Sequence, residues 1–501
     1  MKRGWLTLVL FTFLAGTLRA EPASTGKSLD DVFLWLAGGI SSARIQRLTG
    51  TTEGTGALSC RVTLPCVHAL RLAGADETLI HSLFPQNAGQ ETTAKTRSTG
   101  QKPATVAACS FSETAASIAA LVHANKFTAA EDNVRAALRD DPSNASLQFV
   151  LGTILRRQER MDEALDAFME AEHRMPGFPE THNQLSYLFY RTDDADNALA
   201  EARTALSMDP ANAEAYRYLG LALYAGGHYE AALNAYEKSL ERESDNADVY
   251  FDIGITQRDK GNLRQSAIAY RRALTLRPDF WQAHSNLGVV LRDQGKLDEA
   301  ATEYRAAIRL KPDEASVRNN LGNTLCDKDD FDGAIAEFKE LYRQTPEWEG
   351  GHNCLARAYM SKRDYPAAIR ELKAAIAANP AGAAEHRVLG QALLLTGKDA
   401  EAVEVLRKAV ALNPDSAVAH HYLGTAFVNT QAMAEAEKEF REALRLEPNA
   451  QNHYSLAACL MVLNRFEEAL GELEIAARLD PKEGLYRARM QEAARMITTS
   501  K

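Results

Sequence analysis

The stretch DFWQAHSNLGVVLRDQGKLDEAATEYRAAIRLKP at 279–312 can be laid over most of the chain downstream of residue 142 in steps of 34 residues. Its closing proline, Pro312, falls in register with Pro142, Pro176, Pro210, Pro278, Pro346, Pro380, Pro414 and Pro448. Ser244 fills the missing slot, and Pro481 comes one residue early after a deletion near Asn449. A proline-closed step of this length marks helix–turn–helix units that stack, because no single hairpin can bury its apolar face alone. The step therefore restricts the chain to an array that grows by addition, even though its 501 residues would otherwise suggest several separate domains.

The repeated residues have physical tasks. With the proline as position 32, position 7 is apolar (Leu151, Leu185, Leu219, Ile253, Leu287 and onward) and position 8 is Gly, Ser or Ala. Position 20 is Ala or, once, Ser266; position 24 is large, as in Phe168, Tyr236, Tyr270, Tyr304 and Phe338; position 27 is mostly Ala. Apolar residues at helical spacing give the first helix a buried stripe, and the small–bulky–small set gives the second its matching face. Small side chains at 8 and 20 let the helices approach closely. Gly227, Gly261, Gly295 and Gly397 suit the left-handed residue that ends a helix, and the proline stops the second helix.

These units resemble tetratricopeptide repeats. The pattern of Leu-Gly, Ala, aromatic, Ala and Pro is met in ten units over 145–481, and a degenerate unit without the Leu-Gly pair precedes them at 111–142. Residues 482–499 read as a closing helix, which a stacked array needs at its last apolar face. The resemblance implies an all-α fold, an α-α superhelix, with a small helical module ahead of it.

That module is expected over 28–85, where SLDDVFLWLAGG reads as a short helix capped by Ser28 and stopped at Gly38-Gly39. Residues 86–108 have the polar, small composition of a disordered linker. Residues 1–20 read as a secretory signal peptide: Lys2 and Arg3 begin it, 5–16 is uncharged and largely apolar, and Ala20 suits cleavage. The expected product is exported, periplasmic or secreted, with no membrane span after the leader is removed. Lys and Arg number 57 against 67 acidic residues, a net charge of −10, so nothing favours general nucleic-acid binding.

No phosphate-cradling loop, HExxH or nucleophile elbow is present. Six of the 12 histidines (His182, His284, His352, His386, His420, His453) share position 4. Stacked equivalents should lie roughly 10 Å apart, too far to share one metal at about 2 Å, so a flat, part-buried structural ring is the reading adopted. Cys326, Cys354 and Cys459 sit where a small hydrophobe packs, while Cys60 and Cys66 leave a disulfide open. No catalytic residue, metal or cofactor is expected.

The resemblance also implies where a partner would lie. In this family positions 2, 5, 9, 12 and 13 of the first helix face a concave groove. Carried over, they are Phe149, Arg156, Arg157, Tyr187, Tyr190, Arg191, Arg217, Tyr224, Phe251 and Arg258, then Arg292, Asn319, Asn323, Asn353 and Arg357, then a more apolar end with Leu394, Leu395, Val428, Tyr454 and Met461. Arg with aromatics is hot-spot composition, and Asn can both donate to and accept from a peptide backbone. The expectation is a scaffold that holds a partner protein or extended peptide in this groove. The alternative is a regulatory or adaptor subunit of an enzyme, for example a glycosyltransferase, or of an envelope assembly system.

Overall fold

The computed structural model of the chain describes residues 29–49, 64–83 and 112–499. The leader at 1–20, the linker at 86–108, the Ser28 cap, Cys60 and Cys109 lie outside the described residues. Among these residues there are 27 helices and no strand, and the chain divides into two compact units, residues 1–244 and 245–501.

The first unit opens with four short helices, α1 (Leu29–Ala37), α2 (Ser42–Thr49), α3 (Leu64–Leu72) and α4 (Glu77–Leu83). Four hairpins follow: α5 (Glu113–His123) with α6 (Phe127–Asp140), α7 (Ala145–Arg157) with α8 (Met161–Arg174), α9 (Pro179–Arg191) with α10 (Ala195–Met208), and α11 (Ala213–Ala225) with α12 (Tyr229–Arg242).

The second unit holds seven hairpins. They are α13 (Ala247–Asp259) with α14 (Leu263–Leu276), α15 (Trp281–Asp293) with α16 (Leu297–Leu310), α17 (Ala315–Asp327) with α18 (Phe331–Gln344), α19 (His352–Ser361) with α20 (Tyr365–Ala378), α21 (Ala383–Leu395) with α22 (Asp399–Leu412), α23 (Ala417–Asn429) with α24 (Met433–Leu446), and α25 (Ala450–Val462) with α26 (Phe466–Leu479). The last helix, α27 (Gly484–Thr499), packs on α26.

Every hairpin turns through one left-handed residue. Gly227, Gly261, Gly295 and Gly397 take that place as the sequence suggests, but Asn125, Glu159, Asp193, Asp329, Arg363, Gln431 and Asn464 take it elsewhere, all with φ between 57° and 87°. A side chain in this conformation costs roughly 1–2 kcal/mol, so the packing of each hairpin outranks the local preference of seven residues.

The close approach expected at position 8 has a specific cause: the position 24 ring lies flat on it. A Cβ at Gly220, Gly254 or Gly288 would come within 2.3–2.7 Å of the ring of Tyr236, Tyr270 or Tyr304. Where position 24 shrinks to Ala202, position 8 enlarges to Ser186, whose hydroxyl donates to the Ala198 carbonyl at 2.8 Å. The two positions trade volume, as close-packed interiors require.

The second unit has one irregular point. Gly351 is left-handed (φ 92°), and α19 begins late and runs 10 residues, where its neighbours α17 and α21 run 13. Here Cys326 on α17 and Cys354 on α19 form a disulfide, with Cα atoms 5.9 Å apart. This corrects the reading of both as small hydrophobes. They are buried as such residues are, yet they also bond covalently because the 28-residue spacing puts them on facing helices. Cys459 does remain a buried thiol, as does Cys66.

Candidate functional site

Within each unit the first helices of successive hairpins approach one another: α9 and α11 in the first, and α13–α15, α15–α17, α17–α19, α21–α23 and α23–α25 in the second. The second helices make no comparable contact. Hairpins that converge along one row and diverge along the other leave the first helices on the inner side, which is where the candidate residues lie.

On the first unit this inner face is partly covered by the chain itself. α1 lies across α5 and α7, and α3 lies on α5. Val32, Phe33, Leu34 and Trp35 are buried there, in one continuous apolar core with Phe149, Ile154, Phe168 and Phe178. Trp35 stacks on Phe178 at 5.7 Å between ring centroids. Gly38 is required at the end of α1, because a Cβ would lie 2.3 Å from Phe149. Asp30 accepts from the Ser112 backbone N–H at 2.6 Å, and Ser146 donates to Asp31 at 3.3 Å. From α2, Arg44 reaches two carboxylates: Glu180 at 2.5 Å, itself 3% exposed, and Asp209. Burial pushes the Glu180 carboxyl up, with Arg44 pulling the other way. Phe149 is therefore corrected as an open groove residue: it is 0% exposed and belongs to the seam between the module and the array.

The uncovered part of this face holds an arginine–tyrosine cluster. Arg156 lies 5.1 Å over the Tyr187 ring, and Arg191 lies 5.9 Å from the same ring and donates to its hydroxyl at 3.0 Å. Tyr190 and Tyr218 flank Tyr187 at 6.4 and 5.9 Å. Tyr224 pairs with Tyr229 at 5.8 Å, and together with Tyr190 and Arg191 they line a cavity of about 470 Å³. Arg217 is half-buried on α11, and Arg157 is exposed, 5.6 Å over Phe127. Tyr218, at position 6, was outside the expected set, which drew on positions 2, 5, 9, 12 and 13 alone.

The second unit carries the same register with different partners. Phe251 packs on Phe280 and Tyr270 at 4.8 and 5.7 Å. Arg258 donates to its neighbour Asp259 at 2.9 Å. Arg292 donates to Asp327 at 2.7 Å, and Arg357 lies 3.9 Å from Asp327 and 3.6 Å from Asp329, so one acidic cluster joins three successive hairpins. Asn353 donates to Glu385 at 2.8 Å, while Asn319 and Asn323 are half-buried on α17. Toward the end of the unit Val428, Tyr454, Met461, Leu473 and Met496 line an apolar cavity of about 460 Å³. The last of these comes from α27, which no groove register could supply.

Five of the six position 4 histidines form hydrogen bonds between the two helices of their own hairpins. His182, His284, His420 and His453 each donate through Nδ1 to a glutamate 19 residues on (Glu201, Glu303, Glu439, Glu472) at 2.6 Å, and His352 does so to Glu371 at 2.8 Å. Arg318 fills the same slot, donating to Glu337 at 2.8 Å and to the Pro312 carbonyl. His284 likewise meets the Pro278 carbonyl through Nε2. The glutamate hydrogen bond raises the pKa of His182 and His284 against the opposing effect of burial. His386 has Val405 where the glutamate would be, and bonds instead to the Gly382 carbonyl. Where the glutamate is present, a His or Arg donor in this slot ties the two helices together. Among the described residues, no group of three His, Cys, Asp or Glu is placed to hold a metal. No helix among them is long and apolar enough to cross a membrane.

Known proteins give the same answer on the repeat. No curated protein matches the chain. Among solved structures, similarity is found to YrrB, described as a TPR protein with an unusual peptide-binding site (22% identity over 40% of this chain and 99% of that one, TM-score 0.31). It is also found to pilF of Pseudomonas aeruginosa (18%, 44% and 95%, TM-score 0.36). A third is the C-terminal part of a TPR repeat-containing protein from Cytophaga hutchinsonii (20%, 46% and 94%, TM-score 0.37). Similarity at this level says nothing of what any of these chains binds. The family model described as tetratricopeptide repeat matches 119–177, 251–315, 290–347, 355–417 and 423–483, and a second, described as TPR repeat, matches 220–261. With more than half of its length matched, and with hairpins closed by position 8 against position 24, the chain belongs to the tetratricopeptide repeat family.

Proposed function

We propose that this chain is an exported scaffold that holds a partner protein or an extended peptide on the inner face of its hairpins and performs no chemistry of its own. Tetratricopeptide repeats serve in general as protein-interaction scaffolds. The observation that carries the reading further is the Arg156–Tyr187–Arg191 stack with Tyr190 and Tyr218 beside it. Tyr and Arg dominate binding hot spots because they present large, stiff, amphipathic surface at low entropic cost, and here arginine is stacked on the aromatic face in advance. Export is supported by the leader-like residues 1–20 and by the buried Cys326–Cys354 disulfide, a bond that persists in oxidising compartments. Replacing Tyr190, Arg191 and Arg217 together by alanine is expected to abolish capture of the partner from the native host while leaving the helical circular dichroism intact. Undiminished capture would reject this face.

A further inference from the structure

The inner face of the first unit already has an occupant, and what that occupant is made of describes a ligand; the argument rests on the groove reading above and deepens it. Repeat hairpins are added end to end, but α1 lies on the first helices α5 and α7, and α2, packed on α1 and α4, sends Arg44 as far as α9. The contact is of two kinds. Near α5 and α7 it is mainly apolar, with Val32, Phe33, Leu34 and Trp35 all under 5% exposed in one core with Phe149 and Phe178, and the carboxylates of Asp30 and Asp31 bonded at its edge. Near α9 it is polar and incomplete. Both amide atoms of Asn183, Oε2 of Glu180, Oε1 of Gln184 and Nε of Arg156 are buried there without a hydrogen-bond partner. Asn183 is 0% exposed. Settled cores satisfy such groups, and an amide with free donor and acceptor suits a polypeptide backbone.

We infer that α1 and α2 are an internal occupant of a partner-binding face, and that the partner is a protein segment of the same make: an amphipathic helix with two aromatic side chains for Phe149 and Phe178, followed by a basic residue for Glu180 and Asp209. Arg44 is the latch. The tethered segment competes at high effective concentration, so a free one binds only as often as the latch opens. The incoming segment prevails by making the bonds to Asn183 and Gln184 that the internal one leaves unmade.

A fluorescent synthetic peptide of residues 29–49, titrated into the full-length protein and followed by anisotropy, tests this. Arg44→Glu in the protein breaks the latch and leaves Glu180 and Asp209 in place for the peptide's own arginine. The expected result is at least about tenfold tighter binding than to the unaltered chain, and no binding of a peptide carrying Phe33→Ala and Trp35→Ala. Arg44→Gln serves if Arg44→Glu does not fold. Asp31→Cys with Ser146→Cys, oxidised to fasten α1 onto α7, is expected to abolish the gain. The inference is overturned if latch variants with intact circular dichroism bind the peptide no tighter, or if the alanine peptide binds equally. It is also overturned if the latch variants dimerise by exchanging this segment, which would make a second copy the occupant. The Tyr190, Arg191 and Arg217 variant separates the two readings, since losing host-partner capture there leaves peptide binding to the covered face unchanged.

Discussion

Phe149 and Phe251 occupy the same register position, three repeats apart, and have different tasks. Phe149 is sealed beneath α1, between Phe168 and Phe178. Phe251 is half-buried on its own hairpins, against Tyr270 and Phe280. The contrast extends to their neighbours. The inner face of the first unit is covered at one end and carries stacked Arg and Tyr at the other, whereas that of the second unit is tied up in its own contacts, ion pairs through Asp327 and a hydrogen bond from Asn353 to Glu385. A repeat register tells which side a residue faces; what it touches there depends on segments the repeat does not contain.

The largest expected effect follows from the covered phenylalanine. Phe149→Ala removes a fully buried ring shared by the array and the module and is expected to cost about 3–5 kcal/mol. Phe251→Ala, with its ring already partly in water, should cost about half as much, since the loss scales with the apolar area buried. Urea denaturation of the two variants measures the difference, and equal losses would mean that the module adds nothing to the burial of Phe149.

What the sequence made legible follows from this pair. The hairpins, the small position 8 under a bulky position 24 and the left-handed turn glycines were all readable, because each is set within 34 residues by a repeated local demand. Neither the docking of α1 nor the contact of Arg44 with Glu180 could be read, since those partners lie 136 residues apart and belong to no repeat. The groove register put Tyr187, Tyr190 and Arg191 on one helix face, where their side chains meet, but it could not tell that Arg292 and Arg357 share Asp327. Asp327 lies on the hairpin between them at position 13, which is part of the register, but the register says which side a residue faces and not which neighbour it meets. The cysteines were misread for a similar reason: Cys326 and Cys354 each fit a hydrophobe's slot, and only their approach across neighbouring hairpins shows the covalent tie.

That tie gives the next effect. Closing a loop of 28 residues is worth about 3.6 kcal/mol in the chain-entropy account. The double variant Cys326→Ala with Cys354→Ala, or the unaltered chain under dithiothreitol, should therefore lose about that much, and from the second unit. Amide exchange before and after reduction is expected to quicken around α17 and α19 while α7 and α9 keep their protection. Uniform quickening would show that the disulfide supports both units.

A smaller effect depends on pH, through one position 4 His–Glu pair in each unit, His182 with Glu201 in the first and His284 with Glu303 in the second. For His182 and His284 the folded pKa is raised by the glutamate bond. Their contribution to stability is thus full below the unfolded value of about 6.5 and is lost as pH rises through the folded value. Melting temperature should fall across that window. His284→Arg, which copies the Arg318–Glu337 pair with a cation that does not titrate, should flatten the fall without lowering stability at acid pH. If His284→Arg leaves the pH profile unchanged, the ring is not protonated in its slot.

The smallest expected effect is the one that most tests the contrast. Arg292 donates to Asp327 from a side chain 36% exposed, and Asp327 is 37% exposed. A pair so open to solvent and salt contributes about 0.2–1 kcal/mol, so Arg292→Ala should hardly move the urea midpoint. It should also leave partner capture unchanged, because a partner would first have to separate the arginine from Asp327 and would recover little by doing so. Arg191 is exposed too, yet it rests against the Tyr187 ring and donates to its hydroxyl. Those contacts orient the guanidinium without neutralising it, so its charge stays available to a partner's carboxylate. Arg191→Ala alone should therefore weaken capture measurably where Arg292→Ala does not. If the two lose equally, the inner faces of the two units are equivalent in binding, and the ion pairs of the second unit open on contact with the partner.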